Sequence, residues 1–86
     1  MHYTVIWEDT ETGQEYRQEF TDELKAVHSW RSAELYENTT PKALDVYTGH
    51  DYQCHRFKAN EITVSRGAFH VDGMTLADWT EAMFSD

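Results

Sequence analysis

The side chains most able to do chemistry lie in one run of six residues, His50-Asp51-Tyr52-Gln53-Cys54-His55, followed by His70 and Asp72. Imidazole and thiolate groups bind zinc, which needs three or four such ligands at about 2.0–2.3 Å. Such a set could consist of His50, Cys54 and either His70 or Asp72. Cys54 and His55 are adjacent, however, so on a strand they point to opposite faces. The chain also lacks paired Cys-x-x-Cys spacing, and we expect neither a metal nor a cofactor.

A cysteine beside an imidazole is also the smallest pair for acyl transfer. Cys54 is the only cysteine, and an isolated thiol is more often a small buried hydrophobe. The four glycines are scattered, so no Gly-rich phosphate loop is present. We therefore expect that the protein is not an enzyme. An enzyme or metal-binding regulator built on His50, Cys54 and His70 is the least favoured reading.

The net charge of the chain and its distribution indicate the kind of partner more strongly than these candidate sites indicate a reaction. The chain holds 16 acidic and 7 basic residues, for a net charge of -9, and the acids concentrate in residues 1–37 and 67–86. Nucleic-acid binding depends on Lys and Arg displacing counterions from phosphates. We expect no direct binding to nucleic acid or to an anionic membrane, and we expect a partner with a basic surface.

The acidic tract of residues 8–37 is the candidate contact surface. Trp30 is added to it because this ring falls outside the predicted apolar stripe of its helix, and tryptophan is enriched at interface hot spots. The candidate partner-binding residues are Glu8, Asp9, Glu11, Glu15, Glu19, Asp22, Glu23, Trp30, Glu34 and Glu37.

The elements that carry this tract are a β-hairpin and a helix. Residues 3–8 and 14–20 have the composition or alternation of strands, separated by turn residues ending at Gly13. Thr21 is the predicted N-cap of a helix over residues 22–36, with a possible break near Trp30. Its predicted apolar face contains Leu24, Val27, His28 and Leu35.

The sequence pattern after residue 37 predicts mainly extended segments. A loop is predicted at 38–41, a strand at 43–48 and a final capped helix over 75–84. The segments 52–58, 62–66 and 68–71 can each be extended. At 86 residues the chain should form a single α+β domain, with a mostly antiparallel sheet of four to five strands, two helices and the order β-β-α-β-β-β-α. It has no long apolar run and no signal-peptide pattern, so we expect it in the cytoplasm.

In length, acidity, α+β pattern and lack of catalytic motifs, the chain resembles phage-encoded anti-CRISPR and other anti-defence inhibitors. The resemblance is one of composition over the whole chain and assigns no role to any single residue. It implies a non-enzymatic inhibitor in the host cytoplasm, acting as a DNA mimic on the basic, nucleic-acid-binding surface of a partner such as a CRISPR-Cas effector complex. The alternative is a small homo-oligomeric adaptor joined through an edge strand or its aromatic surface.

Overall fold

The computed structural model describes residues 1–49 and 54–84 and confirms the α+β class and the order of elements. Within these residues there are seven strands, somewhat more than predicted, and they form two antiparallel sheets. The large sheet has the order β2-β1-β3-β4, with β1 at His2–Asp9, β2 at Glu15–Phe20, β3 at Thr39–Tyr47 and β4 at Cys54–Lys58. The small sheet has the order β5-β6-β7, with β5 at Thr63–Ser65, β6 at Ala68–Val71 and β7 at Met74–Thr75. The two helices are α1 at Glu23–Leu35 and α2 at Leu76–Phe84.

The N-terminal hairpin forms as the alternation predicts. β1 and β2 pair from Tyr3 opposite Phe20 to Glu8 opposite Glu15. In the turn, the Asp9 carboxylate accepts the backbone N–H groups of the residues two and three positions later, at 2.8 and 3.2 Å. Gly13 has a φ of 75°, which an L side chain would disfavour. Local hydrogen bonding therefore fixes the register of the two strands.

The predicted loop at 38–41 is wrong for most of its length, because β3 already begins at Thr39. Pro41 lacks an N–H group, and within a sheet it is tolerated mainly at edges and bulges. A bulge is present here: Ile6 pairs with Ala43 and Trp7 with Pro41, so Lys42 is the extra residue.

Helix α1 is one unbroken helix, so the predicted break near Trp30 is wrong. Its N-cap is Asp22 rather than Thr21, with the carboxylate accepting the N–H of Leu24 at 2.9 Å. The predicted apolar face is also wrong in most members, because the buried residues are Ala26, Val27, Trp30 and Ala33.

The core lies between one face of the large sheet, α1, the small sheet and α2. Trp30 and Phe69 meet edge to face at 5.7 Å between ring centres, and Glu23 accepts the Phe69 N–H at 2.9 Å. These contacts attach the small sheet to α1. At α2 the predicted cap is present, since Thr75 Oγ1 accepts the Asp78 N–H at 3.1 Å. No helix in the described part of the chain has the length and apolar character to cross a bilayer.

Candidate protein-binding surface

The second face of the large sheet, which points away from α1, carries a compact set of ion pairs. Lys42 lies at the bulge, where its ammonium group is 2.9 Å from the Glu15 carboxylate and 3.5 Å from that of Glu8. The hydrogen bond and charge of Lys42 lower the pKa of Glu15, and the same contacts raise the pKa of Lys42. The bulge thus directs the one lysine of β3 between two carboxylates of the hairpin.

Asp45 is the buried charge of this face. Its side chain is 4% exposed, and Arg56, directly opposite on β4, donates two hydrogen bonds to it at 2.7 and 2.9 Å. Arg17 lies on its other side, with a nitrogen 3.7 Å from the carboxylate. The hydrogen bonds and charge of Asp45 raise the pKa of Arg56 above its ordinary value. The Arg56 guanidinium thus binds both oxygens of the Asp45 carboxylate. Hydrogen bonds of this bidentate, charged type are stronger than hydrogen bonds between neutral groups.

These contacts compensate part of the acidic tract. Glu8, Glu15 and Asp45 share this face with Lys42, Arg17 and Arg56, so positive and negative charges alternate across it. A basic partner would have to displace Lys42 to reach Glu8 or Glu15. The sheet face is therefore a weaker candidate for a basic partner than the sequence suggests.

A second group of acids lies at the end of the molecule where the hairpin turn meets the end of α1. The Thr10 N–H donates to the Asn38 carbonyl at 2.9 Å, and Asp9 pairs with Thr39. These contacts place the hairpin turn, with Glu11, beside the segment that follows α1, which carries Glu37. Glu34 lies on the other flank of the last turn of α1, beside Thr40 and Pro41. We call this end the acidic pole, and it consists of Glu11, Glu34, Leu35, Tyr36 and Glu37.

The acidic pole combines negative potential with apolar surface. No ion-pair partner is found for Glu11, Glu34 or Glu37 within residues 1–49 and 54–84. The C-terminal end of a helix carries a partial negative charge, and the last turn of α1 contains no basic residue. Leu35 and Tyr36 are 85% and 69% exposed. Leu35 and Tyr36 therefore add two adjacent exposed apolar side chains to this end of the molecule.

A groove of about 280 Å³ opens beside the pole, between α1 and the hairpin. Its walls are the rings of Trp7 and Tyr36, and its polar groups come from side chains of β2, α1 and β3. Trp7 is held by stacking on Tyr16, with ring centres 4.3 Å apart. The groove has the size and character to accept a side chain of a partner.

The ten predicted contact residues are thus divided by the fold. Six of the nine acids lie at or beside the pole, but three others lie at the opposite end of the hairpin. Of these, Asp22 caps α1 and Glu23 bonds to the Phe69 N–H, while Glu19 is exposed on β2. Trp30 is 3% exposed and cannot be an interface residue, which corrects the prediction. The group at or beside the pole is Glu8, Asp9, Glu11, Glu15, Glu34 and Glu37. The Asp9 carboxylate accepts hydrogen bonds from backbone N–H groups of the hairpin turn.

Sequence reasoning missed Leu35 and Tyr36 as surface residues. The 100° spacing places Leu35 on the predicted apolar face of α1, together with Leu24 and Val27. A stripe centred on Trp30, the largest side chain of the helix, would have placed positions 26 and 33 inside and Leu35 outside. The signal was present in the sequence as the misfit of Trp30.

The candidate metal and nucleophile residues are separated. Cys54 is exposed on β4 of the large sheet, so the expectation that it is a small buried hydrophobe is wrong. His70 is on β6 of the small sheet. In the described ranges no three His, Cys, Asp or Glu side chains converge as metal ligands. His50 and Asp51 lie outside the described residues. Cys54 stands opposite Tyr47, and hydrogen bonding with Cys54 is the main cause that raises the pKa of Tyr47.

Comparison of the chain with protein-family models, curated proteins and solved structures finds no match.

Proposed function

We propose that this protein is a non-enzymatic inhibitor that binds a basic, nucleic-acid-binding surface of a partner through the acidic pole. The observation that carries the proposal is the set of three exposed carboxylates without ion-pair partners in the described chain, beside exposed Leu35 and Tyr36. Carboxylates held in place by a folded protein can form ion pairs with the Lys and Arg side chains of the partner that otherwise contact phosphates. The acidic pole would then exclude nucleic acid by occupying its site.

The size of the molecule suits this role. A standard interface takes about 800 Å² from each partner, roughly one seventh of the 5832 Å² accessible surface of this protein. Aromatic and aliphatic anchors supply most of the affinity in such interfaces, and charges guide the approach of the partner. We assign the first role to Leu35 and Tyr36 and the second to Glu11, Glu34 and Glu37.

By the resemblance to anti-defence inhibitors, the partner would be a bacterial defence complex such as a CRISPR-Cas effector, in the cytoplasm of the host. Such effectors hold nucleic acid in positively charged channels. A DNA-mimic mechanism predicts that the partner cannot bind this protein and nucleic acid at the same time.

The test begins with a pull-down from nuclease-treated bacterial lysate at low and high salt, with mass spectrometry of the retained proteins. We expect a nucleic-acid-binding protein that is released at high salt. Attraction between exposed charges is screened beyond about 8 Å at physiological ionic strength and beyond about 3 Å at 1 M salt. The purified partner is then tested in a gel-shift assay. Adding this protein should release the bound DNA or RNA.

A matched pair of variants separates the acidic pole from net charge alone. Glu34→Lys and Glu81→Lys change the net charge equally, and both positions are exposed in the last turns of their helices. Glu34→Lys should weaken binding to the partner several-fold, whereas Glu81→Lys should leave it close to that of the unaltered protein. Equal effects of the two variants, or simultaneous binding of nucleic acid and this protein, would contradict the proposal.

A further inference from the structure

The free edge of β2 has features of a strand-pairing surface. β2 is the first strand of the large sheet, and its only neighbour within the described residues is β1. Every residue from Glu15 to Glu19 is exposed, and Phe20 is half-buried. An edge strand of six residues presents unpaired backbone N–H and C=O groups that can accept another strand.

The hairpin determines which backbone groups point outward. Asp9 donates its N–H to the Gln14 carbonyl, and in an antiparallel pair the hydrogen-bonded positions alternate. Tyr16, Gln18 and Phe20 therefore direct their backbone groups toward β1. The backbone groups of Glu15, Arg17 and Glu19 point away from β1, to the free edge.

The charges along this edge are self-complementary in two antiparallel registers. With Tyr16 opposite Tyr16, Arg17 of each copy faces Glu15 of the other, but only residues 15–17 of β2 pair, so this register is the shorter one. If a second copy of β2 lies antiparallel with Gln18 opposite Gln18, Arg17 of each copy faces Glu19 of the other, and Tyr16 faces Phe20. In this register, residues whose backbone N–H and C=O groups point to the free edge lie opposite one another, as hydrogen bonding between the two strands requires. Residues 16–20 of both strands take part. A shift by one position places Arg17 against Arg17 and Glu15 against Glu19, which is repulsive.

The other edge of the large sheet lacks this property. β4 carries Arg56 and Lys58 and no acid, so a second β4 would bring like charges together or leave both unpaired. Pairing of β2 with β4 of another copy joins two different strands and so cannot close with two-fold symmetry, and the register that joins Glu15 to Lys58 sets Arg17 against Arg56. Only β2 to β2 pairing closes with two-fold symmetry and without such a clash.

We infer that the chain forms a symmetric homodimer through β2, in which the two large sheets join into one continuous eight-stranded sheet. The occupant of the β2 edge is a second copy of the chain, and the ion pairs between Arg17 and Glu19 set the register. This inference goes beyond the proposed function and is independent of it, since the acidic pole can be altered without changing Arg17 or Glu19.

The first test is the mass of the protein in solution. The mass is measured by light scattering at about 200 µM protein and about 0.15 M salt. The high concentration is needed because two copies joined by a small interface associate weakly, and the salt screens the repulsion between two negatively charged copies. We expect a dimer, twice the 10.1 kDa of the chain. A monomer under these conditions overturns the inference.

A charge reversal at the edge then tests the ion pairs. Glu19→Lys places two positive charges opposite each other twice per dimer and should weaken dimerisation at least about tenfold. Glu81→Lys makes the same change of net charge in α2 and should not weaken it, and circular dichroism confirms that both variants fold. A dimer that is equally stable with Glu19→Lys overturns the inference.

Cross-linking tests the register directly, in a Cys54→Ser background because Cys54 is exposed. Gln18→Cys should form an intermolecular disulfide, since positions opposite each other at non-hydrogen-bonded sites have Cα atoms about 4.5 Å apart. Tyr16→Cys should not, because the two Tyr16 positions would be offset by four residues, about 13 Å. Cross-linking of Tyr16→Cys but not Gln18→Cys would overturn the inferred register.

Discussion

The buried carboxylate of Asp45 allows a sharp prediction about stability. Replacing Arg56 with Ala removes both hydrogen bonds to Asp45. The 4%-exposed carboxylate then keeps one ion-pair partner among the described residues, Arg17 at 3.7 Å. Removing one partner of a fully buried pair costs about 3–5 kcal/mol. The Arg56 side chain is itself 53% exposed, so solvent already screens part of the interaction. We expect Arg56→Ala to lower the free energy of unfolding by about 2 kcal/mol.

Urea denaturation followed by tryptophan fluorescence measures this loss. With a slope of about 1 kcal/mol per molar for a small domain, the midpoint should fall by roughly 2 M. Arg17→Ala is the matched control. Arg17 makes no hydrogen bond to Asp45, its side chain is 57% exposed, and removing it should cost at most about 1 kcal/mol.

A double-mutant cycle identifies the source of the loss. In an Asp45→Asn background the buried charge is absent, so Arg56→Ala should cost clearly less, with a coupling of about 1–2 kcal/mol. The same cost in both backgrounds would mean that the alkyl part of Arg56, rather than its charge, stabilises the fold. That result would refute the reasoning.

Three further predictions concern the core, the cap and alkaline pH. Phe69→Ala should lower stability by about 3–5 kcal/mol because this ring is fully buried, whereas Leu35→Ala should change it by less than about 0.5 kcal/mol, both measured in urea. Asp22→Ala removes the N-cap bond of α1 and should cost about 1 kcal/mol, with Asp22→Ser retaining most of the stability in thermal unfolding. Burial and, to a lesser degree, nearby carboxylates raise the pKa of Tyr3, so the stability this group contributes is present below its ordinary value near 10 and is lost as pH rises through the folded value. Tyr3→Phe should therefore lose less stability than the unaltered protein between about pH 10 and pH 12 in a pH series of urea midpoints, and equal slopes would contradict the assignment.

Local patterns predicted the elements that depend on neighbours in sequence. The hairpin, the strand at 68–71 and the cap of α2 all follow from alternation or from a side chain within four residues of the backbone group it bonds. Such contacts form in the same way wherever the segment is placed. They are therefore readable without knowledge of the rest of the fold.

The errors arose where distant segments choose between alternatives. Thr39 and Pro41 carry loop signals, yet both lie in a strand because β1 offers a partner and a bulge accommodates the proline. The predicted apolar face of α1 is wrong because Phe69, 39 residues after Trp30, provides the ring against which Trp30 packs. A helix with several apolar residues around its circumference does not by itself specify which of them will be buried.

The sequence by itself determined the α+β class, the net charge of -9 and the concentration of acid in the hairpin and first helix. The tertiary structure decided which of those acids are free. Pairing of β1 with β3 and of β3 with β4 brings Lys42 to Glu8 and Glu15 and Arg56 to Asp45. Within residues 1–49 and 54–84, Glu11, Glu34 and Glu37 have no ion-pair partner. The physical reason is that an ion pair depends on distance in space. Composition fixes how many charges a chain carries, but only the fold fixes which of them meet.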